Sequence, residues 1–211
     1  EGARDLEEIG GQPLNMILIP KCETAEEVIE VDRLVSQFAE KGDDPIWLMP
    51  IIESPAGIIR AYEIASATSR VAALAIGLED YTASIGARRS AAGTESFYAR
   101  SVIVNAARAA GIQPVDSVFS DFSDNRELMR IASESRGMGF EGMGCIHPGQ
   151  IAVINRSFSP TAEEVENARI IVKAYVKAAG EGVGVVADGR GQGDRDEGAK
   201  PDLAAQMMHG W

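Results

Sequence analysis

Short apolar runs recur along the chain, and segments with apolar residues at helical spacing separate them. The runs cover residues 14–20, 46–52, 71–78, 114–119 and 140–146. Turn-forming or acidic residues bound these runs, which favours strands buried on both faces of a parallel sheet. The strand–helix unit recurs at intervals of roughly 25–40 residues, as expected for βαβ units joined by right-handed crossovers. The pattern therefore predicts an α/β fold around a parallel sheet.

Capping residues mark where several of the predicted helices begin. Thr24 and Thr161 each precede a glutamate by three residues, which is the capping-box pattern. Ser54, followed by proline, is typical of an N-cap with proline at the first helical position. One predicted helix follows Ser54, and the others cover residues 23–41, 95–110, 125–135, 149–155 and 162–179.

Two local expectations concern the chain around the helix 95–110. The stretch 81–94 is rich in small and polar residues, so we expect a loop outside the core. The helix itself is expected to end at Gly111. Its buried side is expected to include Phe97, Val102, Val104 and Ala109.

Acidic residues follow two neighbouring predicted strands at the point where each strand ends. Glu53 follows the run 46–52, and Glu79 and Asp80 follow the run 71–78. Because the carboxyl ends of parallel strands point to one side, Glu53 and Asp80 are expected to converge on one rim. Two converging carboxylates favour the binding of a cation between them. Mg²⁺ is commonly bound by one or two carboxylates, which leaves further coordination positions open for a substrate. The alternative is that these acids only cap the helices that follow.

The composition is that of an acidic globular protein. The 211 residues carry a formal net charge of −12, which argues against binding to a nucleic acid backbone. No apolar run approaches the length of a membrane span, and the sequence opens without the pattern of a signal peptide. Cys22 and Cys145 lie next to apolar runs and lack zinc-ligand spacing, so we expect reduced core thiols in a cytoplasmic protein.

Seven motifs occur in one order along the chain. They read IPKCETAEEV, IIESPAGI, GLEDYTASIGA, FYARSVIVNAARAAGI, DSVFSDFSD, GFEGMGCIHPGQI and VINRSFSPTAEEVENA. This succession resembles the citrate lyase beta subunit family, with its citryl-, malyl- and citramalyl-CoA lyases, within the wider HpcH/HpaI aldolase group. The resemblance extends from about residue 14 to about residue 187 and covers most of the chain.

The resemblance implies a TIM (β/α)₈ barrel of the phosphoenolpyruvate/pyruvate-binding type. The five predicted strands match the fourth to eighth strands of that barrel, while the first three strands, one of which carries a substrate-binding arginine, have no counterpart here. We therefore expect a C-terminal portion of a longer protein. Residues 1–180 would form the barrel portion. Residues 181–211 would form a C-terminal arm that packs on a neighbouring subunit of a homo-oligomer, a trimer or a hexamer.

The resemblance also implies an enzyme, a Mg²⁺-dependent carbon–carbon lyase. Carried over by position, Glu53 and Asp80 hold the metal, and the backbone amides around Glu79 and Asp80 help to hold the carboxylate of a 2-oxo acid. The substrate would be a 3-hydroxy-3-carboxyl type acyl-CoA such as citryl-CoA, malyl-CoA or citramalyl-CoA, cleaved to a 2-oxo acid and an acyl-CoA or formed from them. Asp194 on the arm is the expected catalytic base, with Asp196 as its rival.

Three further positions each allow two interpretations. Arg100 either reaches a coenzyme A phosphate or pairs with an acid of the fold. His147 ends a predicted strand at the same rim, where it either binds substrate or serves packing. Lys21 either pairs with Glu53 or forms a Schiff base, and resemblance to a metal-dependent family argues against the Schiff base.

Three functions remain open from the sequence. The first is a CoA-dependent carbon–carbon lyase. The second is an aldolase of the same superfamily that acts on a free 2-oxo acid without CoA. The third is a non-catalytic binding or assembly subunit. The three unmatched strands suggest it, as does the tail, where residues 181–200 are rich in Gly, Asp and Arg and are longer and more polar than the pattern of the family. None of the three involves a nucleic acid or a membrane as partner.

Overall fold

A parallel sheet of five strands carries the fold in the computed structural model, which describes residues 14–38 and 45–180. The strands lie in the sheet in the order in which they occur in the sequence, and every neighbouring pair is parallel. Because this order never reverses, right-handed crossovers place the connecting helices on one face of the sheet. The strands are β1 (Met16–Ile19), β2 (Trp47–Ile52), β3 (Ala73–Ile76), β4 (Gln113–Asp116) and β5 (Gly142–Met143). The predicted α/β fold is confirmed.

Eight helices lie within the described residues. They are α1 (Ala25–Phe38), α2 (Pro55–Ile59), α3 (Ala61–Ala65), α4 (Leu78–Ser84), α5 (Thr94–Ala110), α6 (Asn125–Met138), α7 (Pro148–Phe158) and α8 (Ala162–Gly180). Contacts divide the chain after Phe158 into two units, so the sheet belongs to the first unit and α8 to the second. None of the helices in the described residues is long and apolar enough to cross a membrane.

Side chains cap three of these helices as the sequence predicted. At α1, the Thr24 hydroxyl accepts from the Glu27 N–H at 3.4 Å, while the Glu27 carboxylate accepts from the Thr24 N–H at 3.0 Å. Thr161 and Glu164 exchange the same two bonds at α8, at 3.2 and 2.7 Å. The Ser54 hydroxyl accepts from the N–H three residues later at 3.2 Å and so caps α2. The capping boxes are confirmed.

Alternate residues of β2 show which face of the sheet holds the core. Leu48 and Ile52 are fully buried, whereas Trp47 is 39% exposed. Met16 pairs with Trp47 in register and is therefore on the same face, as is Leu18 two residues later. Both are exposed. The helix-covered face thus holds the core, and the opposite face is apolar and open near β1.

The segment after β2 forms two short helices instead of the single helix that the sequence predicted. The break is at Arg60, which ends α2 and begins α3. Ile58 and Ile64 are both buried. In one continuous α-helix, two side chains six residues apart would point in directions that differ by about 240°, and so to different sides of the helix. The bend allows both side chains to enter the same core.

The predicted loop 81–94 is partly wrong, because its first residues belong to α4. Leu78, Tyr81 and Thr82 are buried and lie on one side of this helix at the spacing i, i+3, i+4. The Thr82 hydroxyl donates to the Leu78 carbonyl at 2.8 Å, which satisfies a polar group within the core. Small and polar side chains therefore did not signal an exposed loop here.

The helix α5 ends as predicted, at a glycine with a left-handed φ of +73°. The predicted buried side is wrong for two of its residues, while Val102 and Val104 are partly buried against the core. Phe97 is 61% exposed and Ala109 is also exposed, while the buried residues of α5 are Ser96, Ala99, Arg100, Ile103, Ala106 and Ala107. Small side chains and an ion-paired arginine fill the close contact with the sheet, so the most apolar residues did not mark the inner face.

The fifth strand is shorter than predicted and ends at Met143. Cys145 therefore lies beyond the sheet and is exposed, while Cys22 is buried at 1% exposure. Both are free thiols. The expectation of a core thiol holds for Cys22 and is wrong for Cys145.

Candidate functional site

Glu53 and Asp80 lie at the carboxyl ends of two adjacent strands. Glu53 directly follows β2, and Asp80 lies in the first turn of α4, just after β3. The two strands pair in register up to their ends, where Ile52 pairs with Ile76. The Gly77 N–H then donates to the Ile52 carbonyl at 2.9 Å, so the chain leaving β3 stays against the end of β2. This pairing holds the two acids on one rim, as the sequence predicted.

The side chain of Glu53 lies directly against the backbone of Gly77. A Cβ atom at position 77 would lie 2.7 Å from both Cγ and Oε1 of Glu53. Gly77 has an ordinary extended backbone, with φ at −108°, so its φ and ψ do not require glycine. Glycine is required instead because the Glu53 side chain occupies the space of a Cβ atom.

Lys21 supplies a positive charge between the two acids. Its ammonium lies 2.8 Å from Oδ2 of Asp80, and its charge and backbone N–H both favour the ionised form of the Glu53 carboxylate. Burial raises the pKa of Glu53, and the charge of Asp80 raises it further, while the Lys21 charge and amide act in the opposite direction. The hydrogen bond to Asp80 raises the pKa of Lys21 itself. The sequence had suggested pairing with Glu53, and the ammonium instead pairs with Asp80.

The Glu79 carboxylate has different partners from the Asp80 carboxylate. Its carboxylate accepts from Arg89 at 2.5 Å and from the Ser120 hydroxyl at 3.2 Å. One residue earlier, the Leu78 N–H donates to the buried hydroxyl of Ser117 at 3.1 Å. Ser117 was not predicted from the sequence, although its bond fixes the start of α4 and thereby the position of Asp80. No motif marked it, because a serine after a strand is a common loop residue.

Arg100 is buried and fully engaged with the fold. Its guanidinium donates to Asp116 at 2.6 and 3.2 Å, to Glu134 at 2.7 Å and to the Ser135 hydroxyl at 3.1 Å. It also lies 5.7 Å from the ring centroid of Phe140. These contacts join α5 to β4 and α6, and they favour the interpretation of Arg100 as an ion-pair partner of the fold over that of a ligand for coenzyme A.

His147 lies on the exposed surface just after β5. Its ring stacks on Phe122 with centroids 4.9 Å apart, and its Nδ1 accepts from the Gly149 N–H at 3.1 Å. The second contact helps to begin α7. The structure therefore gives His147 a local packing partner and a capping bond, and a role in substrate binding stays a prediction. Asp194 and Asp196 lie outside the described residues, as does the whole predicted arm 181–211.

The donor set at Glu53 and Asp80 fits a hard divalent cation. In the described residues, no group of three or more histidine, cysteine, aspartate or glutamate side chains could hold a metal ion. Mg²⁺ needs fewer protein ligands than such a group offers, because it is commonly bound through one or two carboxylates, with water and substrate oxygens completing the octahedron. The fit of Glu53 against Gly77 shows a carboxylate held in a shaped space, which a metal ligand requires.

A family model described as "HpcH/HpaI aldolase/citrate lyase" matches residues 2–148 of this chain. The chain is 38% identical over 188 residues to the citrate lyase subunit beta of Escherichia coli, a match that covers 88% of this chain and 62% of the relative. It is also 38% identical over 202 residues to an L-malyl-CoA/beta-methylmalyl-CoA lyase of Cereibacter sphaeroides, covering 86% and 64%. The chain thus spans less than two thirds of the length of these curated relatives.

A solved structure supports the same relationship at the level of the fold. The citrate lyase beta subunit of M. tuberculosis, in a complex with oxaloacetate and magnesium, superimposes with a TM-score of 0.64 at 32% identity, and the match covers 75% of this chain and 67% of that one. The parallel sheet therefore has its counterpart in the fold of that protein. This chain belongs to the HpcH/HpaI aldolase/citrate lyase family.

Proposed function

We propose that this chain carries the metal and 2-oxo acid site of a Mg²⁺-dependent carbon–carbon lyase that acts on an acyl-CoA. The observation that carries the proposal is the convergence of Glu53 and Asp80 at the ends of β2 and β3, with the Lys21 ammonium against Asp80. The relatives support it, since one is a malyl-CoA lyase and another was solved with oxaloacetate and magnesium. When bound, Mg²⁺ would supply Lewis-acid polarisation of the 2-oxo group.

The residues of this chain would hold the reacting groups in place. Glu53 and Asp80 would provide carboxylate oxygens to the metal, and Gly77 would leave the space that Glu53 needs. The backbone amides of Glu79 and Asp80 would hold the carboxylate of the 2-oxo acid. Ser117 fixes the turn from which these amides project, through its bond to the Leu78 N–H.

The proposed reaction is a reversible Claisen-type cleavage. The bond between the hydroxyl-bearing carbon and the thioester CH₂ breaks, and its electron pair moves onto the thioester. The hydroxyl loses its proton as the 2-oxo group forms, and the thioester enolate takes up a proton to become the acyl-CoA. In synthesis a base removes that same proton. We assign the base to Asp194, with Asp196 as the alternative, on an arm from a neighbouring subunit of a trimer or hexamer.

The five strands are best explained as the fourth to eighth units of a (β/α)₈ barrel. Two observations support this proposal. The strands follow one another without reversal, as in a singly wound barrel, and the face opposite the helices exposes Met16, Leu18 and Trp47 near β1. Apolar residues on that face are expected where a barrel interior is filled by side chains from all of its strands.

A cleavage assay tests the proposed activity. Citryl-CoA, malyl-CoA and citramalyl-CoA are each incubated with the full chain in Mg²⁺ and in EDTA, and release of oxaloacetate, glyoxylate or pyruvate is followed. The proposal predicts Mg²⁺-dependent release of a 2-oxo acid from at least one thioester. Cleavage of free hydroxy acids alone would instead support an aldolase that does not use CoA. Metal-dependent binding of a 2-oxo acid without turnover would support a non-catalytic subunit.

A further inference from the structure

Lys21, which lies beside the proposed metal ligands, has an unusual backbone conformation. Its φ is +53°, and among the described residues it is the one non-glycine residue with a positive φ. The left-handed region is unfavourable for a residue with a side chain, and strain of this kind persists where the surrounding structure fixes it, often at functional sites. The next residue shows what fixes it here, because the Cys22 N–H donates to the Ile51 carbonyl of β2 at 3.1 Å.

From this position one lysine acts on both carboxylates. The ammonium lies 2.8 Å from Asp80, and the charge of the lysine also acts on Glu53. The ion pair is well exposed, with side-chain exposures of 75% for Lys21 and 51% for Asp80. Exposed ion pairs of this kind add little to the stability of a fold. The strained backbone therefore needs another explanation than stability.

The net charge of the site provides that explanation. Glu53, Asp80 and Lys21 together carry a charge of −1, and a divalent cation brings the site to +1. A ligand with one carboxylate then neutralises it. Without Lys21, the two acids and the cation already sum to zero, so an anionic ligand would gain less from binding beside them. The lysine repels the metal and attracts the carboxylate.

We propose that Lys21 couples the two ligands of the site: it weakens binding of a divalent cation alone and strengthens binding of a monoanionic carboxylate once the cation is bound. The proposal rests on the metal site proposed above and goes beyond it by assigning a role to a residue that is neither a metal ligand nor a base. Such coupling is reciprocal, since a ligand that binds more tightly with the metal present also tightens the metal. Lys21 is a positioning residue in this account, because it acts through charge on what binds next to it.

Calorimetric titration separates this role from a structural one. Mg²⁺ is titrated into the full chain alone, and pyruvate is then titrated into the chain saturated with Mg²⁺. For Lys21→Met we expect Mg²⁺ alone to bind about three- to tenfold more tightly, and pyruvate to bind about three- to tenfold more weakly. Lys21→Arg keeps the charge and should stay close to the wild type in both titrations. Raising the ionic strength should reduce both differences, because these charges are exposed.

Arg33→Met is the matched control. It removes one positive charge from an exposed arginine on α1 that pairs with Glu30 of the same helix, and it should change neither affinity. A second neutral variant, Lys21→Gln, guards against a solubility defect of the methionine variant, and circular dichroism checks that each variant is folded.

The outcomes separate the two proposals. Opposite changes in the two affinities support the coupling. Equal changes in the same direction, or no change, with normal Mg²⁺ binding by the wild type, would overturn the role of Lys21 and leave the metal site intact. A wild type that binds no Mg²⁺, with or without pyruvate, would remove the metal site and the coupling together.

Discussion

The Glu53 side chain occupies the space that a Cβ atom of residue 77 would need. The closest approaches are 2.7 Å, to Cγ and Oε1, and such distances require one of the two groups to move. Because Glu53 and Gly77 belong to the ends of adjacent strands, the contact transmits any change at position 77 to the proposed metal ligand. It also gives a way to disturb that ligand without replacing it.

Gly77→Ala should therefore weaken metal binding more than it weakens the fold. The backbone at this position suits alanine, so the main effect is displacement of the Glu53 carboxylate. We expect the affinity for Mg²⁺ to fall by about 10- to 100-fold, as for residues that orient a metal ligand, measured by calorimetric titration.

Gly137→Ala is the matched control for this prediction. Nothing lies within 4 Å of a Cβ at Gly137, which is on α6. This variant should leave the Mg²⁺ affinity unchanged. It should raise the free energy of unfolding by about 0.5–1 kcal/mol, because glycine within a helix is less stable than alanine by that amount. If Gly77→Ala and Gly137→Ala bound Mg²⁺ equally well, the placement of Glu53 over Gly77 would have no functional meaning.

Arg100→Met should destabilise the fold severely. The variant leaves Asp116 buried without its cationic partner, and breaking a buried ion pair by removing one member costs about 3–5 kcal/mol. Urea denaturation measures the free energy of unfolding and checks this value. The control is the exposed Arg33→Met, for which we expect a loss of stability of under about 0.5 kcal/mol. Near-normal stability together with weakened binding of CoA would instead point to the phosphate-binding role.

Glu53 and Glu30 affect the free energy of unfolding with opposite signs as the pH changes. Burial and the charge of Asp80 raise the pKa of Glu53 above 4.5 in the fold, so ionising Glu53 opposes folding, and this loss of stability is complete above the raised pKa. Glu53→Gln should therefore raise the free energy of unfolding of the metal-free protein near neutral pH. The gain should disappear as the pH falls below 4.5.

Glu30→Gln provides the control of opposite sign. The hydrogen bond from Arg33 lowers the pKa of Glu30 in the fold, so its charge stabilises the folded state above pH 4.5 and this contribution is lost as the pH falls through the lowered pKa. The substitution should lower stability slightly near neutral pH. Urea denaturation across the acid range measures both variants, and a pH-independent difference for Glu53→Gln would contradict the raised pKa.

The sequence was sufficient to place Glu53 and Asp80, because strand ends in a parallel sheet follow from the spacing of apolar runs and their turn signals. It could not show the partner of Lys21. Lys21 has a left-handed φ, which no residue preference predicts for a lysine. The buried Ser117 was missed for a related reason, since its hydrogen bond to the Leu78 N–H joins residues 39 positions apart.

The buried side of α5 shows a second limit of sequence patterns. Apolarity pointed to Phe97, which is exposed, because the helix packs closely through alanines and an arginine whose charge Asp116 neutralises. A charged residue in a core becomes predictable only when its partner is known, and Asp116 comes from a strand 16 residues away. Tertiary pairing here overrides the local preference.

The central claim is that Glu53 and Asp80 together bind Mg²⁺, and calorimetric titration of Mg²⁺ in the presence of pyruvate tests it most directly. The wild type, Glu53→Gln, Asp80→Asn and the control Glu30→Gln are compared at one pH and one ionic strength. We predict saturable binding to the wild type and to Glu30→Gln, and loss of binding in both site variants, because each removes a charged oxygen ligand. Equal binding by all four proteins would contradict the claim and leave these acids as caps of the helices that follow.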